Sequence, residues 1–146
     1  MTVERSFTPT LESIREARLF VLGQLDGLPT ETREEVALIV SELASNAVLH
    51  ARTPYTVALK LKPSATRLRI EVRDQDSAQF TASGEPPPSN RLHGRGLLIV
   101  SRVAADWGVT THARPVGKTV WAQVLLDPHA GSEANTKSRH DRPNEG

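Results

Sequence analysis

Glu42, Asn46 and His50 recur at intervals of four residues. On a helix they stack one turn above another along one flank. The stretch that holds them, Glu35 to His50 (EVALIVSELASNAVLH), contains neither Pro nor Gly, and its apolar residues repeat at helical intervals. Val36, Val40, Leu43 and Ala47 share a narrow seam, which Ala37, Ala44 and Val48 widen on the other flank. A helix this apolar is expected to be largely buried. Burying an amide without a partner costs about 2–7 kcal/mol, and burying a lone charge costs more. Glu42 and Asn46 therefore need partners. A bound ligand or metal is one answer; a satisfied core pair or a shallow wet groove is the other, and the helix alone does not choose.

Gly94-Arg95-Gly96 precedes Leu97, Leu98, Ile99, Val100 and Val103, a short helix entered through glycines. Glycines there let backbone N–H groups approach an anion that the helix dipole also favours, and Arg95 adds a cation. Many glycine pairs only turn a corner, so this motif alone is weak. Gly117-Lys118-Thr119 imitates a phosphate-binding loop. Such a loop needs a glycine five residues earlier, where His112 stands, and a helix afterwards, where a strand is expected. A hairpin turn is the better reading. His50, His93, His112, His129 and His140 lack zinc-site spacing, and no serine sits in a G-x-S-x-G elbow. Asp74 at a strand end is, by itself, more often a turn former than a site.

The elements that must position these residues follow from the pattern. Residues 2–8 alternate weakly, as an edge strand would, and Pro9 begins a helix capped by Thr8 or Thr10. Leu11, Ile14, Ala17, Val21 and Leu25 keep a helical period until Gly27 and Pro29. The organising helix starts near Thr30–Thr32, with Thr32 and Glu35 at capping-box spacing, and stops before Pro54. Tyr55 to Leu61 and Leu68 to Val72 alternate as two strands joined by a turn at Pro63–Ala65. Residues 75–93, with Pro86, Pro87 and Pro88, read as a lid, because long loops in compact domains are commonly functional. Trp107 to His112 and Thr119 to Leu126 read as two further strands, with Trp107 and Trp121 as core aromatics. Residues 128–146 have no apolar face and are expected to be disordered, leaving 1–127 as one domain. The order implies an α/β (α+β) two-layer sandwich, its sheet mixed but mostly antiparallel, with helices on one face.

Bulk composition narrows the function classes. The chain has 146 residues, 38% hydrophobic and 24% charged, which suits a soluble globular domain. A net charge of +1 with no dense basic stripe gives no case for direct nucleic-acid binding. The absence of cysteine excludes disulfides and thiolate sites and fits a reducing compartment. No apolar run is long enough to span a membrane, and the N-terminus lacks a signal-peptide pattern, so the chain reads as cytoplasmic.

Taken in order, these pieces resemble a known family: the small ATP-binding proteins related to bacterial anti-sigma-factor serine kinases, within the superfamily of DNA gyrase and histidine-kinase ATPase domains. ELASNAVLHA (Glu42–Ala51) looks like its asparagine box, and VRDQD (Val72–Asp76) occupies its Asp-x-Gly position. HGRGLLIVSRVAADWGV (His93–Val109) looks like its second glycine box, and GKTVWAQVLL (Gly117–Leu126) like its closing strand. The resemblance covers about residues 5–126 and implies a Bergerat-type ATP-binding fold. It implies that Asn46 holds Mg²⁺ on the phosphates of ATP and that Glu42 is the general base. It also implies that Asp74 accepts from the adenine amino group, that Gly94, Arg95 and Gly96 line the phosphates, and that Thr119 supports the adenine side. Residues 77–93 would then fold over the nucleotide. Asp76 stands where the family pattern has a glycine. The implied function is a serine/threonine-protein kinase that phosphorylates an anti-sigma-factor antagonist, sequesters a sigma factor, or does both. Homodimerisation stays open. The alternative is a non-catalytic protein-binding module with a degenerate nucleotide site.

Overall fold

A computed structural model describes residues 1–61, 66–76 and 96–126. The expected turn at Pro63–Ala65, residues 77–93 of the expected lid and the C-terminal tail lie outside the described residues. Five strands, β1 (Thr2–Phe7), β2 (Tyr55–Lys60), β3 (Arg67–Asp74), β4 (Asp106–Ala113) and β5 (Val116–Leu125), form one sheet in the order β1-β2-β3-β5-β4. Every described pairing is antiparallel. Three α-helices accompany it among the described residues: α1 (Leu11–Gly23), α2 (Thr30–Ser45) and α3 (Gly96–Val103). The two-layer α/β reading stands.

α2 sits between the other helices, packing against α1 and α3 and over β3 and β5. Val36, Val40, Leu43 and Ala47, the seam read from the sequence, are all buried, as are Ile39, Ala44 and Val48. They meet Val57, Leu59, Leu68, Ile70, Val72, Val120 and Ala122 from the sheet in one core. Each Val, Leu or Ile among them contributes about 1.5–3 kcal/mol when fully buried. Strand alternation decides the sheet face: Leu68, Ile70, Val72 and Asp74 point inward along β3, and Lys118, Val120, Ala122 and Val124 along β5.

Thr10 caps α1, its hydroxyl accepting from the Ser13 amide at 3.2 Å. The Ser13 hydroxyl in turn meets that of buried Tyr55 at 2.6 Å, tying α1 to β2. Two local expectations need correction. α2 begins after Pro29 with no side-chain cap, so Thr32 is not a capping residue. Its side chain is buried instead, with no partner for Oγ1 among the described residues. Pro29, with φ of −58°, starts the helix one turn early and leaves Thr32 inside it. Trp121 is not a core aromatic either. It shares the outward phase of β5, half-buried, with the Arg69 guanidinium 4.2 Å from its ring centroid. Gly108 opposite makes room for it, since a Cβ there would stand 2.6 Å from the indole.

Candidate functional site

The backbone of the organising helix changes at Asn46. α2 ends at Ser45, and residues Asn46–Ala51 form a π-helical turn. Arg52 closes it in a left-handed conformation, φ 59°, its amide donating to the Ala47 carbonyl at 2.7 Å. A non-glycine residue held there costs about 1–3 kcal/mol, and both this strain and π turns recur at functional sites. Asn46, the first residue of the wide turn, is 3% exposed. Its Nδ2 has no hydrogen-bond partner among the described residues. Glu42, one turn earlier, is half-buried and forms no ion pair with a described residue. His50 is exposed. Among the described residues the Asn46 amide is therefore a buried donor without a partner, which is the state that a ligand would relieve.

The end of β3 lies against this turn. β3 packs on the π-helical segment, and Thr53 just beyond it accepts from the Gln75 amide at 3.0 Å. Asp74, the last residue of β3, points inward and is 3% exposed. Its Oδ1 accepts from the Asp76 amide at 2.9 Å, and its Oδ2 accepts from the ammonium of Lys118, its register partner on β5. Burial pushes the Asp74 carboxyl above the usual carboxylate range. The Lys118 charge and hydrogen bond, with the Asp76 amide, pull it part of the way back.

The structure divides the remaining candidates. Gly96 starts α3, whose Leu97 and Val100 are buried and which packs on α2; Gly94 and Arg95 lie outside the described residues. Thr119 does not share a face with Asp74. It points to the outer side of the sheet, where its hydroxyl meets His112 Nε2 at 2.7 Å. The residue beside Asp74 is Lys118, which the sequence reading passed over as part of a turn. A signal was present: Lys118, Val120, Ala122 and Val124 share one strand phase, so the lysine had to point inward with them. A pocket of about 690 Å³ at the sheet's rim, lined by Ser6, Tyr55, Arg73, His112 and Gly117 among others, includes Asp74 but neither Glu42 nor Asn46.

The expected hairpin turn at Gly117-Lys118-Thr119 needs correction: the turn is Arg114–Pro115, and Gly117 is the second residue of β5, paired with His112, where it brings the strand unusually close to the site. A Cβ there would stand 2.1 Å from the Asp74 carbonyl oxygen. Gly117→Ala is therefore expected to destabilise the fold by about 1–3 kcal/mol through forced backbone movement. Gly23→Ala, whose Cβ would meet nothing within 4 Å, should leave stability nearly unchanged. Urea-denaturation midpoints measure both; equal midpoints would show that the β3–β5 contact is looser than described.

Residues 7–124 match the model of the Histidine kinase-like ATPase domain. No curated protein matches the chain. Among solved structures, the chain superposes on the crystal structure of the RsbU and RsbW domains of Rv1364c from Mycobacterium tuberculosis. The TM-score is 0.63 at 17% identity, over 86% of this chain and 32% of that one. The present chain thus spans about a third of that structure, and the likeness is one of fold. With the family model reaching from the end of β1 to the last residues of β5, the chain belongs to the histidine kinase-like ATPase domain family, a family of ATP-binding domains.

Proposed function

We propose that this domain is a protein serine/threonine kinase of the anti-sigma-factor type, using Mg·ATP to phosphorylate an antagonist protein and binding a sigma factor as its client. The observation that carries the reading is the open, buried amide of Asn46 one helical turn from a half-buried carboxylate, Glu42. The family supports ATP binding, and the fold shared with a structure containing an RsbW domain supports the kinase branch. No described helix is long and apolar enough to cross a membrane. In this reading the domain acts in the cytoplasm.

The residues present fit the phosphate end of the ligand. An asparagine offers one acceptor oxygen and two donors. Its Oδ1 would be able to ligate Mg²⁺, but only a bond from Nδ2 to an acceptor such as a phosphate oxygen would satisfy the donor that is open among the described residues. Mg²⁺ commonly takes only one or two protein oxygens beside phosphates and water, so the absence of an acidic cluster among the described residues is no obstacle. Bound Mg·ATP would supply the transferable phosphoryl group and the cation that neutralises it. Glu42 would accept the proton of the acceptor's hydroxyl as that oxygen attacks, which requires hydrogen-bond reach in the assembled complex. Gly94, Arg95 and Gly96 would offer backbone donors and a cation to the phosphates at the entry to α3. Asp74 would face the base, and the proposed support of the adenine side by Thr119 would have to act from the outer face of the sheet.

Two observations favour a second reading, a non-catalytic binding module. Asp74 is already held by Lys118, and Asp76 replaces a motif glycine. Transfer of labelled γ-phosphate from ATP to antagonist proteins separates the two. A kinase phosphorylates a cognate antagonist; a silent module binds its client equally with and without ATP and transfers nothing.

A further inference from the structure

Three features mark the contact between Asp74 and Lys118. The residues are direct partners in the β3–β5 register, so their side chains leave the sheet on the same side. Lys118 is 0% exposed and Asp74 3%, so neither charge is turned toward bulk water. The neighbouring Gly117 lies so close to the Asp74 carbonyl that any side chain there would collide with it. Lysine is almost never fully buried unless it is paired. Here the partner is the carboxylate assigned above to the base.

We propose that Lys118 relaxes base recognition in the nucleotide site, by engaging the Asp74 carboxylate where the exocyclic amino group of adenine would otherwise donate. The inference rests on the reading of Asp74 as the base-facing carboxylate. Asp74 Oδ2 receives the ammonium and Oδ1 the Asp76 amide, so both oxygens already carry a bond and a base would have to share the carboxylate with the ammonium. An ammonium carries three donors and no acceptor. With one spent on Asp74, it would offer a hydrogen bond to a ring nitrogen or to a keto oxygen, and so it removes the reason for preferring a 6-amino purine. Affinity then comes from the phosphate end, at Asn46, and the identity of the 6-substituent matters little. Replacing Lys118 by a short residue frees the carboxylate to accept from the amino group, and the preference for adenine should return.

The test compares ATP with inosine triphosphate, which carries oxygen in place of the 6-amino group, each with Mg²⁺. Dissociation constants come from calorimetry, with thermal shift as a second readout. The wild-type domain is expected to bind the two within about threefold. Lys118→Thr is expected to favour ATP by about tenfold or more, the usual scale of a hydrogen bond to a charged group. A wild-type preference for ATP of about tenfold or more would overturn this inference while leaving the nucleotide site in place. So would a Lys118→Thr protein with no gain in preference. Failure of both nucleotides to bind the wild type would overturn the nucleotide reading itself, and this inference with it. If Lys118→Thr does not fold, the wild-type ratio alone decides.

Discussion

Glu42→Gln is expected to leave Mg·ATP binding largely unchanged while lowering phosphate transfer to the antagonist by about 10²–10⁴-fold, the range a general base contributes. Glutamine keeps the size of the side chain and most of its hydrogen bonding, but it accepts no proton at neutral pH. Glu42 is half-buried and unpaired among the described residues, so the change breaks no ion pair there and should leave the fold intact. The effect should therefore appear in kcat rather than in ATP affinity, because the proton moves only as the acceptor oxygen attacks. Labelled transfer with ATP affinity measured alongside gives both quantities. Robust transfer that survives Glu42→Gln would remove Glu42 from the base role.

Lys118→Met should be the most damaging single change to stability at the site. It keeps the length of the side chain and leaves the Asp74 carboxylate buried without its counter-ion. Breaking a buried pair by removing one partner costs about 3–5 kcal/mol, whereas replacing both partners by apolar residues is often neutral or better. Asp74→Leu combined with Lys118→Met should therefore recover most of the loss. Urea denaturation of the single and double variants measures the difference. A loss below about 1 kcal/mol in Lys118→Met would place the pair in the class of solvent-exposed ion pairs and contradict its burial.

The fold was legible where one periodicity ran through an element. The seam of α2 read correctly because Val36, Val40, Leu43 and Ala47 all point one way and meet a sheet whose inward residues alternate cleanly. The π-helical turn was not legible. The apolar pattern continues through Ala47 and Val48, and the extra residue per turn leaves no composition signal. Thr32 misled because capping-box spacing is a local signal, and Pro29 started the helix earlier. At the site, Glu42 and Asn46 stood out because polar groups on a buried helix demand explanation, and Asn46 Nδ2 has no partner among the described residues. Thr119 and Lys118 were read by motif, whereas strand phase sends Thr119 outward and the lysine to Asp74. The same phase, applied to Trp121, would have put it on the outer face beside Arg69.

Calorimetric titration of the wild-type and Asn46→Ala domains with ATP, in the presence and absence of Mg²⁺, tests nucleotide binding at this helix most directly. Asn46 is buried, but its Nδ2 makes no hydrogen bond to a described residue, so alanine should keep the fold, as circular dichroism will show. The wild type is expected to bind ATP in a Mg²⁺-dependent manner, and Asn46→Ala to lose that dependence and most of the affinity. Equal, Mg²⁺-dependent binding by the two proteins would contradict the role given to Asn46, and no binding by the wild type would contradict the nucleotide site as a whole.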